Sequence, residues 1–285
     1  MSRFIHHSEI NNEKTSAKKY PLFYQGHKIG LMHEDIASAL SDDLIKKDSG
    51  FSFPDKVKGF DDASEFVDLL FQKLVNQGVS KYHNEPFAVT NNFHDETLFK
   101  VDRSAMALFG FVSFGIHVNG YVVEDFETKV WLANRSKQFR VYPGMKDQII
   151  AGGQPYGLSL YENLVKESYE EAGFKKDIID KQARPVSYIS YHHEHDFYVN
   201  RSYVFIYDLE LLKDQIPRNT DGEVESFELL SKQEALNLLE SKERIFKPNC
   251  GLVMLGFALR HGFIDPDTEK DYVELIKGLR LNDDF

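Results

Sequence analysis

The chain has 285 residues, of which 42% are apolar and 13% aromatic, so it can bury a sizeable core and global disorder is excluded. Its formal net charge of −11 disfavours a protein that binds nucleic-acid backbones without sequence preference. Cys250 is the single cysteine, and the sequence has no apolar run of signal-peptide or membrane-span length. We therefore expect a cytoplasmic protein with no disulfide, no membrane partner and no nucleic-acid partner.

The predicted elements divide the chain into three parts. Residues 1–18 are polar and predict a flexible tail. Residues 19–104 predict a small α/β domain, whose clearest helix lies in DDASEFVDLLFQKLVNQG, where the apolar residues share one face and Gly78 provides a stop. The pattern of predicted elements changes near residues 103–110, and residues 105–285 predict a second, larger domain.

The larger domain alternates predicted strands and helices. LFGFVSFGIHVNGYVVED predicts two strands joined by a turn at Asn119-Gly120, which is a favoured hairpin dipeptide. After a further strand and a loop rich in Pro and Gly, LSLYENLVKESYEEAG predicts a helix that ends at Gly173. Downstream we expect more strands, a helix that begins near Ser231, and an apolar helix in CGLVMLGFALRHG.

The helix in LSLYENLVKESYEEAG carries glutamates that converge on one side. Glu167, Glu170 and Glu171 have the spacing i, i+3, i+4, which brings their carboxylates together and makes them repel one another. A divalent cation that prefers oxygen ligands, such as Mg²⁺, removes this repulsion. Upstream, Gly152 and Gly153 lie in a loop whose backbone can approach a ligand closely, so a carbonyl there is a further candidate ligand. For the glutamates taken alone, the alternative is an ordinary solvated face.

The loop and the helix together resemble the Nudix box, a glycine-containing loop followed by a helix with the pattern Arg-Glu-apolar-x-Glu-Glu-x-Gly-apolar. In GGQPYGLSLYENLVKESYEEAGF, Gly152 matches the first glycine of the box, and Gly173 and Phe174 match its end. Three positions depart from the pattern: Lys166 replaces Arg, Ser168 replaces an apolar residue, and Leu158 replaces the first Glu. The resemblance implies a Nudix α/β/α sandwich with a mixed sheet, and Mg²⁺ or Mn²⁺ bound by Gly152, Glu167, Glu170 and Glu171.

The resemblance extends to segments on both sides of the box. VWLANRSKQFRVYPGMKDQIIAGGQPYGLS, DGEVESFELLSKQEAL and FKPNCGLVMLGFALRHGFIDP are similar to the Nudix half of fungal thiamine pyrophosphokinase fusions, which carries a preceding DUF4743-type α/β region. This branch implies a hydrolase that converts thiamine diphosphate analogues, in oxidised or damaged forms such as oxo- and oxythiamine diphosphate, to monophosphates. It also leaves room for a homodimer.

Candidate residues outside the metal set come from the loops that flank the box. Glu223 is a candidate for an extra catalytic carboxylate, as a metal ligand or a general base, although an ordinary turn residue is an equal alternative. The general base can also be Glu170 or Glu171. The predicted substrate-binding residues are Arg135, Lys137, Arg140, Tyr142 and Asp147.

Two other functions and one other metal site remain open at this stage. The same chemistry fits a phosphatase that removes damaged nucleoside diphosphates such as 8-oxo-dGDP. The departures from the box also allow a diphosphate-binding module without catalysis. A zinc site at His192, His193 and His195 is disfavoured, because HHEH lacks the helical spacing of zinc ligands and has no nearby cysteine.

Overall fold

The structure is a computed structural model that describes residues 2–138, 142–220 and 222–281. It has a smaller N-terminal half and a larger second half that pack against each other. In the part of the chain that the structure describes, no helix is both long and apolar enough to cross a membrane.

The N-terminal half is an α/β unit built on two small sheets. Its elements are α1 (His6–Ile10), β1 (Lys19–Tyr24), β2 (His27–His33), α2 (Glu34–Ala39), β3 (Ile45–Lys47), β4 (Gly50–Ser52), α3 (Gly59–Asn76), β5 (Pro86–Val89), β6 (Phe99–Asp102), a 3-10 turn (Arg103–Ala105) and α4 (Met106–Phe109). One sheet has the order β2-β1-β4-β3, and β5 pairs with β6 in the other. The predicted helix is confirmed as α3, which buries Val67, Leu70 and Leu74.

The second half is an α/β/α sandwich around a seven-stranded mixed sheet. Its elements are β7 (Val112–Glu124), β8 (Glu127–Arg135), β9 (Lys146–Asp147), β10 (Ile150–Gly153), α5 (Leu160–Ala172), α6 (Lys176–Gln182), β11 (Ala183–His195), β12 (Tyr198–Glu210), β13 (Val224–Leu230), α7 (Lys232–Glu240), α8 (Pro248–Arg260) and α9 (Tyr272–Lys277). The main path is β11-β12-β7-β8-β13, while β10 pairs with β7 and β9 pairs with β8.

Helices cover both faces of this sheet, which confirms the predicted sandwich. Leu164 of α5 and Ile179 of α6 belong to the apolar cluster on one face. Leu239 of α7 and the buried side chains of α8 form the cluster on the other face. The pairing of β12 with β7 is parallel and the other pairings in the sheet are antiparallel, so the sheet is mixed.

The turn predicted at Asn119-Gly120 is wrong. Strand β7 runs straight through both residues, and the chain reverses at Asp125 and Phe126, whose φ angles of 49° and 68° are left-handed. Gly120 is needed for packing instead, since a Cβ there would lie 2.3 Å from Cδ1 of Ile149. Contacts across the sheet therefore override the local turn preference of the dipeptide.

Residues 1–18 are predicted as a flexible tail, but in the described part of this segment Phe4, His7 and Asn11 pack onto the second half. Phe4 is buried in the apolar cluster of α7 and α8. The Nε2 atom of His7 lies 2.9 Å from the carbonyl oxygen of Leu239, and Asn11 is fully buried. Polar side chains of this segment form hydrogen bonds of this kind, whereas the sequence prediction interpreted their polarity as exposure to solvent.

Candidate active site

The predicted acidic helix is confirmed as α5, and its two ends are fixed by local hydrogen bonds. The Ser159 hydroxyl accepts a hydrogen bond from the Glu162 N–H at 3.2 Å, and the Glu162 carboxylate accepts one from the Ser159 N–H at 2.8 Å. This reciprocal capping box fixes the start of the helix. Gly173 ends it with a left-handed φ of 69°.

Glu167 lies directly against Gly152, a residue that the box predicts in a loop and that the structure places on strand β10. Its residue exposure is only 9%, and a Cβ added to Gly152 would lie 2.6 Å from both Cγ and Cδ of Glu167. A residue larger than glycine would therefore displace this carboxylate. The Asn163 side chain holds the helix to the same strand, because Nδ2 donates to the Gly153 carbonyl at 2.8 Å.

Glu171 is the centre of a group of carboxylates. Its Oε2 accepts a hydrogen bond from the Ala151 N–H at 2.6 Å. Burial, and then the charges of Asp147 and Glu167, raise the pKa of Glu171 well above its usual value, and Glu223 adds to the effect. Burial likewise raises the pKa of Glu167, although Lys166 partly offsets this. Negative charge is thus concentrated where a cation would relieve it.

Lys166 is a cationic side chain that lies among these carboxylates. Its Nζ lies 2.9 Å from Oε1 of Glu167 and 2.9 Å from Oε2 of Glu170. Burial would lower the pKa of Lys166, but the hydrogen bonds to Glu170 and Glu167 raise it overall. Lys166 therefore supplies the charge of the arginine that it replaces and holds two carboxylates in place.

The donor set fits Mg²⁺ or Mn²⁺. Oxygen ligands from carboxylates and backbone carbonyls are the ones that such hard cations prefer. Glu167, Glu170 and Glu171 supply the carboxylates, and the backbone of β10 lies against Glu167 and Glu171. The raised pKa values of Glu167 and Glu171 reflect repulsion and burial that a bound divalent cation would offset.

A cavity of about 320 Å³ opens beside this group, between the two halves of the protein. Its walls include Gly152 and Gly153 of β10. Three cationic side chains line it: Arg103 from the N-terminal half, and Arg201 and Lys247 from the second half. Its aromatic lining comprises Phe87, Phe111, Phe114, Tyr142 and Tyr191. The cavity therefore suits an anion joined to a flat ring.

Comparisons with known proteins agree with this geometry. Residues 3–113 match the model of a domain of unknown function, DUF4743, and residues 114–250 match the NUDIX domain model. The chain is 35% identical over 276 residues to Nudix hydrolase 20, chloroplastic, of Arabidopsis thaliana, across 92% of this chain and 73% of that protein. This chain belongs to the Nudix hydrolase family.

Two further relatives align over long stretches. Uncharacterized protein YJR142W of Saccharomyces cerevisiae is 37% identical over 283 residues, across 90% of this chain and 81% of that protein. Nudix hydrolase 24, chloroplastic, of Arabidopsis thaliana is 40% identical over 217 residues, across 76% of this chain and 58% of that protein. Our protein is thus a Nudix hydrolase that acts on diphosphate bonds, with a DUF4743 region before the Nudix domain.

In this Nudix hydrolase, two of the predicted substrate-binding residues pair with each other. Arg135 NH1 lies 2.9 Å from Oδ2 of Asp147, and both side chains are largely buried. Burial alone would raise the pKa of Asp147, but Lys247, His117 and Arg135, together with a hydrogen bond from the Cys250 thiol, lower it to about 2. Asp147 therefore stays ionised, and Arg135 already has a strong partner.

His117, Asp147 and Cys250 lie close enough to form a second group with metal-ligand donors. Their donor atoms lie within 4.8 Å of one another. However, His117 already has two partners, Oε1 of Gln148 at 2.8 Å and Nδ2 of Asn249 at 3.2 Å. Burial lowers the pKa of His117 to about 4 and raises the pKa of Cys250 well above its usual value, so the thiol of the metal-free protein stays protonated. We interpret this group as a buried hydrogen-bonded network that holds Asp147.

The remaining predicted residues lie at the edge of the site. Lys137 is 79% exposed in its side chain, and its Nζ lies 3.7 Å from Oε1 of Glu225. Tyr142 lines the cavity with a left-handed φ of 53°. Glu223 is exposed, and its carboxylate is near enough to Glu171 to affect that pKa. Arg140 lies outside the residues that the structure describes.

The histidines of HHEH lie on strand β11. His192 Nε2 is 2.9 Å from Oε1 of Glu194, and His193 Nδ1 is 2.9 Å from the Ile10 carbonyl oxygen. His193 and His195 line the far end of the cavity. They are thus placed to contact a substrate rather than to gather around one ion.

Sequence reasoning missed the residues that reach the cavity from distant parts of the chain. Phe87 and Arg103 come from the N-terminal half, and Lys247 precedes α8. Lys247 lies within FKPNCGLVMLGFALRHGFIDP, a segment that resembles the family. That resemblance did not identify Lys247 as a residue of the site.

Proposed function

We propose that this Nudix hydrolase cleaves thiamine diphosphate analogues, above all oxidised forms, to the corresponding monophosphate and inorganic phosphate. The observation that carries the diphosphate chemistry is the contact of Glu167 with Gly152, which places the acidic helix against a strand whose glycines line the cavity. The family of the chain supports the same reaction class.

The residues that would hold Mg²⁺ or Mn²⁺ are Glu167, Glu170 and Glu171. The Gly152 carbonyl, predicted as a further ligand, is directed toward β7 instead, because a Cβ at Gly115 would lie 2.9 Å from its oxygen. When bound, such an ion neutralises diphosphate charge and lowers the pKa of water. Glu171 is held by the Ala151 N–H, and Lys166 holds Glu167 and Glu170. Glu170 is the most open of the three, with a side chain 46% exposed, so we assign it the role of accepting a proton from the attacking water.

The charges of the cavity support an oxidised ring over the thiazolium of thiamine diphosphate itself. Arg103, Arg201 and Lys247 all line the cavity. Its lining contains no aspartate or glutamate among the residues that the structure describes. A positively charged ring is repelled in such a cavity, whereas an oxidised ring that has lost its charge is not. The aromatic side chains then supply flat surfaces for the ring.

A substrate panel tests the proposal. Purified protein with Mg²⁺ is incubated with thiamine diphosphate, oxothiamine diphosphate, oxythiamine diphosphate, 8-oxo-dGDP and nucleotide sugars. The assay measures inorganic phosphate or, for the nucleotide sugars, the nucleoside monophosphate and sugar phosphate that hydrolysis yields. We expect kcat/KM to be highest for oxothiamine diphosphate, and Glu170→Gln to abolish release. Failure to hydrolyse any diphosphate of the panel would contradict the enzymatic proposal.

Damaged nucleoside diphosphates are the second candidate, since the same aromatic lining can stack a purine ring. A kcat/KM for 8-oxo-dGDP above those for the thiamine analogues would favour this function. Tight binding of a diphosphate without turnover, in either Mg²⁺ or Mn²⁺, would instead favour a binding module. Leu158, Lys166 and Ser168 motivate that alternative, although the three glutamates of the box are present.

A further inference from the structure

The N-terminal half touches the active-site loop directly. Strand β5 lies along the loop that follows β10, where Phe87 forms a β-bridge with Pro155 and the Tyr156 N–H donates to the Pro86 carbonyl at 2.7 Å. The Phe87 ring packs onto Gly153, because a Cβ at Gly153 would lie 2.4 Å from Cζ of the ring. The N-terminal half therefore supports the strand against which Glu167 lies.

Arg103 reaches the cavity from this same surface. It follows β6, and its guanidinium carbon lies 5.7 Å from the centre of the Phe87 ring. Its NH1 atom lies 3.1 Å from Oε2 of Glu85. The side chain is 47% exposed, and it lines the cavity together with Gly152 and Gly153.

The ring beside Arg103 also lies next to the proposed metal-binding group. The Arg103 guanidinium lies over the Phe87 ring, and this ring packs onto Gly153, the neighbour of the glycine against which Glu167 lies. An exposed ion pair such as Glu85–Arg103 contributes little to stability. A planar guanidinium beside a diphosphate site, by contrast, can donate two parallel hydrogen bonds to phosphate oxygens.

We propose that Arg103 is a substrate-binding residue, supplied by the N-terminal half, that binds the diphosphate at the mouth of the cavity. In the absence of substrate the Glu85 carboxylate occupies the guanidinium, and phosphate oxygens replace it when the substrate binds. The proposal rests on the proposed function, since it assigns a residue to the diphosphate of that substrate. It gives the N-terminal half a direct part in catalysis by the Nudix domain.

Arg3 provides a matched control for Arg103. Its NH1 atom lies 3.0 Å from Oε1 of Glu240, and its guanidinium carbon lies 5.2 Å from the centre of the Phe4 ring. Arg3 therefore has the same kind of glutamate partner and the same kind of ring contact, but it does not line the cavity. The variants Arg103→Met and Arg3→Met remove equivalent local contacts.

The experiment measures three quantities for wild type and both variants in saturating Mg²⁺. These are kcat/KM for oxothiamine diphosphate, the affinity for non-hydrolysable imidodiphosphate by calorimetry, and the Tm. We expect Arg103→Met to weaken imidodiphosphate binding and kcat/KM by about 10- to 100-fold, as for the loss of a charge-assisted hydrogen bond. Arg3→Met should change neither by more than about twofold, and Arg103→Lys should recover part of the loss.

The Glu85→Gln variant distinguishes a role of Arg103 in substrate binding from a purely structural role of the Glu85–Arg103 ion pair. It breaks the same ion pair but keeps the guanidinium, so we expect it to bind imidodiphosphate as tightly as wild type or more tightly. Equal losses in Glu85→Gln and Arg103→Met would show that the pair is structural and would overturn the proposal, as would equal affinities of Arg103→Met and Arg3→Met. If wild type hydrolyses no diphosphate, the proposed function fails, and the imidodiphosphate titration still decides the role of Arg103.

Discussion

Replacing Gly152 with alanine tests the geometry on which the site depends. The new Cβ would lie 2.6 Å from Cγ and Cδ of Glu167, whereas carbon atoms in contact are separated by about 3.5–4.0 Å. Glu167 must therefore move by about 1 Å, a displacement that can cost about 100-fold in rate when it shifts a catalytic group. The backbone φ of Gly152 is not left-handed, so alanine itself introduces no backbone strain.

The assay is a double-mutant cycle on kcat/KM with oxothiamine diphosphate and Mg²⁺. We expect Gly152→Ala to reduce kcat/KM about 100-fold, which corresponds to about 2.7 kcal/mol. In the background of Glu167→Ala, where the displaced side chain is absent, Gly152→Ala should cause little further loss. Full activity of Gly152→Ala, or equal losses in both backgrounds, would refute the reasoning that Gly152 acts by making room for Glu167.

Two further predictions concern pH and stability. Because burial and neighbouring carboxylates raise the pKa of Glu171 in the folded protein, metal-free protein should lose stability as pH rises from 4.5 through that raised pKa, and Mg²⁺ should remove the loss. Thermal unfolding as a function of pH, with and without Mg²⁺, measures this loss of stability. Glu171→Gln should flatten the pH profile of the metal-free protein, and a profile unchanged by this substitution would contradict the prediction. Asp147→Asn should lower the free energy of unfolding by about 3–5 kcal/mol, since it leaves the buried cations Arg135 and Lys247 without their carboxylate. Urea denaturation measures the free energy of unfolding, and Asp196→Asn, at an exposed aspartate, is the control. A similarly small change in both variants would count against a stabilising role of Asp147.

The box could be predicted because its parts are local in sequence. The spacing of Glu167, Glu170 and Glu171 places three carboxylates on one side of a helix wherever that helix lies. Gly173 ends the helix through its own backbone conformation. The spacing of the glutamates does not predict the close contact of Glu167 with Gly152. Only the family resemblance assigned these two residues to one site.

The rest of the site depends on contacts between distant segments. Asn119-Gly120 has the composition of a turn, yet parallel pairing of both residues with β12 keeps this part of β7 extended. Lys247 meets Asp147 only because α8 packs beside β9, a hundred positions earlier in the chain. Arg103 likewise reaches the cavity only through the docking of the N-terminal half. A single sequence contains no local signal for such contacts.

The most direct test of the account is the effect of removing one carboxylate of the proposed metal-binding group. Glu170→Gln and Glu162→Gln make the same chemical change on helix α5, but Glu162 serves the capping box at its start. With Mg²⁺ and oxothiamine diphosphate, we expect Glu170→Gln to reduce kcat at least about 100-fold, in the range found for the loss of catalytic acid–base groups. Glu162→Gln should keep kcat within about threefold of wild type. Equal activities of the two variants would contradict the assignment of Glu167, Glu170 and Glu171 as the active site.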